Sequence, residues 1–483
     1  MPDIDIELIK RRSVVGVVAL TARTFILQIV AFGATFLLTL FLTPDVFGVF
    51  YVVSAIISFL GYFSDIGLAA ALVQKKEEVT REDLSTTFII QQSLVVTLVV
   101  MSLVFSPYIA SFYRLDASGT WLLRALAISF FLSSLKTIPS VLLERKLAFD
   151  RLVIPHIVET LGFYIVAVYL AWRGAGITSF AWAVLVRGVL GLITMYIVEP
   201  WVPTFSVSRE SARKLMRFGI PFQMNSFLAL LKDDLLTVFL GRVLPFAQVG
   251  YIGWAKKWAE VPLRLIMDSV IRVTFPAYSR LQHDKKLLEK AIDKTMFGLS
   301  AAILPISTGL LFFVHPMVEM IPKYSKWEPA LVSFYLFVFS SAIAALSTPL
   351  MNALNAVGRI KTTLTFMVGW TVFTWAFTVL FMKFFGYNGV ALALLVVSAS
   401  IVFVIQAAKR ITDFAFIDNV KGPVGAALAQ GIFYWFVVPV SPRSLAAITA
   451  CAISGVILYT VTLYALESTR IKAFIATIKR STQ

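Results

Sequence analysis

Apolar runs of about 20 residues recur from one end of this chain to the other, each long enough to cross the hydrocarbon of a bilayer. That repetition constrains the fold more than any motif does. Inside hydrocarbon every backbone N–H and C=O must be satisfied within the protein, so runs of this length predict a helical bundle. Hydrophobic residues make up 59% of the 483 and charged residues 14%, a balance outside the soluble globular range. The spans read as Val14–Leu42, Val46–Val73, Leu84–Phe105, Thr120–Leu142, Leu152–Trp172, Ile177–Val198 and Phe218–Leu240. They continue as Val249–Phe275, Thr295–Met317, Ala330–Met351, Thr362–Met382, Tyr387–Ala408, Pro423–Pro439 and Leu445–Leu466. The linkers are short, and none holds a soluble domain. No short apolar region with a small-residue cleavage site follows the opening MPDIDIELIKRR, so the first run reads as a retained span.

The distribution of Lys and Arg tests this count. The formal net charge is +16, and in a membrane protein such an excess belongs first to cytoplasmic loops, not to nucleic acid. About 27 basic residues, from Lys10 through the clusters at Lys75, Arg145, Arg209, Arg280, Arg359 and Lys409 to Arg480, fall on one side, and about 7 on the other. The alternation holds only if Val249–Phe275 crosses. Fourteen crossings with both termini cytoplasmic are therefore expected.

That eighth span is the unusual one. It carries Lys256, Glu260, Arg264, Asp268 and Arg272, one charge every four residues with alternating sign. On a helix each stands one turn above the last, where neighbours pair. A central charge facing lipid costs about 2.5–3.5 kcal/mol, so these side chains are expected to line a watery cavity or to pair inside the bundle. The preceding span adds Lys232, Asp233 and Asp234. With a hairpin apex near Leu244, the two aspartates are expected at the depth of Lys256 and Lys257. In the first hairpin, with its apex near Pro44, Arg23 and Asp65 are expected at equal depth. The other intramembrane charges, Arg124, Lys136, Glu159, Arg187 and Glu319, read as lying mostly nearer the span ends.

A faint repeat relates FLTPDVFGVFYV (Phe41–Val52) to RVLPFAQVGYIG (Arg242–Gly253), each a proline turn followed by Gly and an aromatic. It predicts two six-helix lobes, residues 1–198 and 218–409. A basic linker at 199–217 joins them, and a terminal helix pair with a basic tail follows at 410–483. Internal repeats with charged sites are the usual plan of secondary transporters.

The stretch from Phe41 to Phe88 resembles the opening of the polysaccharide transporter family, the Wzx-type flippases of the MOP exporter superfamily. The matching pieces are Pro44 with Gly48, then Asp65-Ile66-Gly67-Leu68, Ala71-Leu72-Val73-Gln74, and Thr86-Thr87-Phe88. Later pieces are Val249-Gly250-Tyr251, Phe275 to Leu281, and Asn352 to Arg359. The resemblance covers nearly the full length. It implies a bacterial inner-membrane flippase, two lobes around a cavity, and an undecaprenyl-pyrophosphate-linked oligosaccharide as substrate. Movement to the periplasmic leaflet would follow alternating access, linked to an H+ or Na+ gradient. Polysaccharide polymerase and chain-length proteins are the implied partners, beside membrane lipids.

The residues themselves supply matching chemistry. Arg23, Lys232, Lys256, Lys257, Arg264 and Arg272 are the expected partners of a pyrophosphate. Tyr251, Trp254 and Trp258 are expected to stack on sugars, and Asp65, Asp233, Asp234, Glu260 and Asp268 to serve ion coupling or gating. Each set has a plainer reading: the ladder and the Arg23–Asp65 pair as structural ion pairs, the tryptophans as interface anchors. No cofactor is expected. The lone cysteine, Cys451, excludes a disulfide framework, and the absence of a Walker motif argues against ATP as energy source. A membrane polymerase or glycosyltransferase would carry its catalytic residues in a large outer loop, which is absent here, so no enzyme is expected. A cation-coupled drug exporter would favour an acidic cavity, and a lipid II-type flippase is the nearer alternative. A monomer is the expected state.

Overall fold

The computed structural model describes residues 27–64, 66–204, 206–440 and 444–481, and the described regular structure is helical throughout. The chain divides into two compact units, Met1–Gly250 and Tyr251–Gln483.

In the first unit an apolar helix α1 (Leu27–Phe41) leads to α2 (Pro44–Tyr62), α3 (Leu68–Gln74), α4 (Arg81–Val104) and α5 (Ser106–Tyr113). Then come α6 (Ala117–Ser134), α7 (Thr137–Arg145), α8 (Phe149–Trp172), α9 (Thr178–Val198) and α10 (Arg209–Val243). Helix α11 (Phe246–Leu281) starts at the end of this unit and runs into the second. There it is followed by α12 (Lys285–Met320), α13 (Leu331–Ala356), α14 (Ile360–Phe385), α15 (Asn388–Ser398), α16 (Ile401–Lys409), α17 (Phe416–Val437) and α18 (Leu445–Ser481). Ten spans are long and apolar enough to cross a membrane among the described residues. Helices α10 and α11, of 35 and 36 residues, are long enough to cross but too charged to qualify by composition.

Polar residues start the helices. Thr80 caps α4 and Asp83 returns the bond to the Thr80 N–H, a reciprocal capping box. Asp116 accepts from Gly119 N at 2.7 Å, and Asp284 from Leu287 N at 3.0 Å. Pro44 opens α2, where its missing N–H costs nothing.

Three expected spans are broken. Val46–Val73 divides into α2 and α3 because Gly67 adopts φ +77 at the start of α3. Its missing side chain also lets the backbone of Gly219 in α10 pass against it. Thr120–Leu142 crosses as one span but breaks between α6 and α7 at Leu135 and Lys136. Polar side chains hold that break: Tyr196 donates to the Leu135 carbonyl at 3.1 Å, and Gln91 to Thr137 Oγ1 at 3.0 Å. Tyr387–Ala408 breaks between α15 and α16, where Trp370 donates to Ser400 Oγ at 2.7 Å.

The two similar proline turns meet. A Cβ on Gly48 would fall on the Phe246 carbonyl, and one on Gly250 on the Pro44 carbonyl. Reciprocal contact at this range is open only to glycine. Just above, Gly241 of α10 packs on the fully buried Val52 of α2.

Candidate functional site

Helix α11 holds the charges that the sequence singles out. Five cations (Lys256, Lys257, Arg264, Arg272, Arg280) stand against two carboxylates, Glu260 and Asp268. Among the described residues the Glu260–Arg264 rung of the expected ladder is formed as an ion pair: Arg264 Nη2 donates to Glu260 Oε2 at 3.1 Å. Arg264 and Arg272 are exposed, and Lys256 and Lys257 are half-buried. Asp268 is half-buried and makes no ion pair among the described residues.

The aromatics of α11 split by environment. Trp254 is 3% exposed, stacks on Trp327 with centroids 5.4 Å apart, and donates Nε1–H to Tyr324 Oη at 3.3 Å. It has no face open to a sugar and acts as a packed support. Tyr251 lies beside it, against Trp327 and Tyr387, and stays half-buried, as does Trp258. On α10, Asp233 is exposed while Lys232 and Asp234 are half-buried. These three belong to the first unit, and Lys256 onward to the second. Arg23 and Asp65 lie outside the described residues. No three His, Cys, Asp or Glu side chains converge as a metal site among the described residues.

The first unit contains a charge cluster that the sequence reading scattered. Lys136 at the α6–α7 break binds Glu159 Oε1 of α8, and Arg187 of α9 places Nε 3.9 Å from Glu159 Oε2. Glu159 is 5% exposed. Gly191 makes room for it, since a Cβ there would collide with the carboxylate. These charges are not near the helix ends: Glu159 is the eleventh of 24 residues in α8, and Arg187 the tenth of 21 in α9. The sequence reading put them too near the span ends, and their convergence from three segments had no sequence signal.

The basic ends of the helices are tied down separately. Lys75 Nζ lies 2.6 Å from the Asp83 carboxylate, and Arg145 donates to the carbonyls of Leu72, Lys75 and Glu77. At the start of α10 and outside the apolar runs, Lys214 pairs with Glu210 at 2.7 Å. Its hydrogen bond holds the Glu210 carboxyl below its ordinary range, and Glu210 in turn raises the Lys214 ammonium.

The family model for polysaccharide biosynthesis proteins matches residues 37–332, which takes in α2 to α11, the three-helix cluster and the α11 charges. The chain belongs to the polysaccharide biosynthesis protein family. The resemblance carried by Pro44, Gly48, Gly67 and Gly250 is thereby borne out, and the structure gives those glycines a physical reason. A curated relative is the succinoglycan biosynthesis transport protein ExoT of Rhizobium meliloti, 24% identical over 66% of this chain. The match spans 64% of that relative, less than two thirds of its length. Among solved structures, the lipid II flippase MurJ in an inward closed conformation superposes with a TM-score of 0.74. That likeness covers 95% of this chain and all of MurJ at 14% identity. An inward-facing multidrug resistance MATE family transporter of the MOP superfamily gives 0.60 over 81% of this chain and 98% of its own, at 16% identity. At such identities these two show a shared fold.

Proposed function

We propose that this family member is a flippase that carries an undecaprenyl-pyrophosphate-linked oligosaccharide across a bacterial inner membrane, exposing its binding residues alternately to the two sides. The observation that carries the reading is α11. Family membership places the chain in polysaccharide biosynthesis, and α11 brings five cations and two carboxylates along one helix of membrane-spanning length. A lipid pyrophosphate needs several cationic donors, and guanidinium and ammonium groups meet phosphate oxygens in strong charge-assisted bonds. Lys256, Lys257, Arg264, Arg272 and Lys232 are the proposed head-group ligands, together with Arg23. Tyr251 and Trp258 are proposed to face the sugars. Asp65, Asp233, Asp234, Glu260 and Asp268 are proposed to serve ion coupling or gating.

The lipid tail is proposed to lie in the second unit. An open groove of about 720 Å³ between α11, α12 and α18 is lined by Val270, Val273, Phe297, Leu463 and Tyr464. Lys294 is the one charged side chain among its described lining residues. The MATE likeness concerns fold and does not favour a drug as cargo, since the excess of cations on α11 opposes a cationic substrate.

The test is flipping of a pyrophosphate-linked lipid oligosaccharide in vesicles, comparing wild type with Lys256→Ala/Lys257→Ala. Loss of flipping with unfolding behaviour unchanged supports the head-group assignment. Flipping equal to wild type would reduce the α11 charges to scaffolding.

A further inference from the structure

The Lys136–Glu159–Arg187 cluster holds more than a lock needs. One cation would neutralise Glu159 and secure the α6–α7 break, and Lys136, with its side chain 13% exposed, already does so. Arg187 is a second cation on the same carboxylate, which leaves one positive charge over at mid-span. Its side chain is 55% exposed, and a charge at that depth is tolerated only where it meets water or a polar partner.

Helix geometry indicates what it faces. The apolar exposed residues of α9, namely Trp182, Val189, Ile193 and Ile197, form one stripe. At about 100° per residue, Arg187 points roughly 125° away from the centre of that stripe. It therefore stands off the lipid-facing side, on the flank of α9 that packs against α8. It lies within electrostatic range of Tyr164 of α8, whose hydroxyl is hydrogen-bonded to Thr35 of α1. The guanidinium turns Nε toward Glu159, and its terminal nitrogens make no hydrogen bond to any described residue. Those two nitrogens form the fork that matches a carboxylate.

We infer that Arg187, positioned by Glu159 and Lys136, is a specificity site for a carboxylate carried by the glycan, such as that of a uronic acid. The inference rests on the flippase reading and adds the class of sugar. A single surplus charge suits a monoanion, whereas the pyrophosphate calls for the several cations of α11.

Binding to the full-length protein in detergent micelles tests this at low salt. The probes are a β-1,4-linked glucuronic acid tetramer and cellotetraose, its neutral counterpart. Wild type is expected to bind the acidic tetramer about tenfold or more tighter than the neutral one, the value of one charge-assisted contact. Arg187→Gln is expected to abolish that preference, and Arg187→Lys, which keeps the charge without the fork, to lose most of it. No preference in wild type, or an unchanged preference in either variant, overturns the assignment. Farnesyl pyrophosphate on the same preparations reports on the head group. Failure to bind it sinks the α11 reading while the acid preference stands. Loss of its binding in Arg187→Gln, as large as that of the acidic tetramer, would move Arg187 to the head-group site and overturn the inference.

Discussion

The α11 ladder and the three-helix cluster use the same side-chain chemistry to opposite ends. On α11, Glu260 and Arg264 pair along one helix with the arginine 64% exposed. Such a pair is held by local spacing and screened by solvent, so it stabilises little and leaves its charges available. In the cluster, Glu159 draws on α6–α7 and α9 from a socket opened by Gly191, with 6% of its side chain exposed. There the desolvated carboxylate cannot lose its partners cheaply. The difference teaches that the number of segments a charge ties together, not the number of charges on a segment, sets its structural weight.

The sharpest way to break this comparison is Glu159→Ala. It strands Lys136 in a buried site and is expected to cost about 3–5 kcal/mol, measured by thermal unfolding in micelles. Glu159→Leu combined with Lys136→Met is expected to cost less than Glu159→Ala alone, because no unpaired buried charge remains at either position. Equal losses would mean that the cluster matters for packing and not for charge. Asp83→Ala is the intermediate case, since Asp83 joins Lys75 to the cap of α4, with a loss of about 1–2 kcal/mol by the same assay. Glu260→Ala on the ladder is expected to change stability by about 0.5 kcal/mol or less. A loss above that of Asp83→Ala would reverse the ranking.

The smallest effect is at Glu210, fully exposed beside Lys214. Because the fold depresses its carboxyl, the pair acts above the ordinary glutamate range and is lost as pH falls through the folded value. Glu210→Gln should return the Lys214 ammonium toward its usual pKa, followed by NMR titration. An unmoved Lys214 would assign its shift to other carboxylates.

Much of the fold was legible because its signals are local. Apolar length gave the spans, and Pro44 and Pro245 marked hairpin turns that the structure places between α1 and α2 and between α10 and α11. The breaks at Gly67 and Lys136 were not legible, because an apolar run looks continuous whether or not its helix is. Each break exists for a partner elsewhere in the chain, Gly219 in one case and Glu159 in the other. The same holds at the candidate sites. The Glu260–Arg264 rung follows from four-residue spacing, whereas nothing in the sequence pairs Trp254 with Trp327 or brings Arg187 to Glu159.

The reciprocal contact of Gly48 and Gly250 has a genetic consequence. The obstacle that a side chain at either position would meet is a backbone carbonyl, and no substitution elsewhere removes a carbonyl. Defects at these two sites should therefore revert only to glycine. At Gly241 the obstacle is the side chain of Val52, so a Gly241→Ala defect should yield second-site suppressors at Val52 that trim it to alanine. Selection for regained function would separate the two kinds of glycine by the revertants each returns.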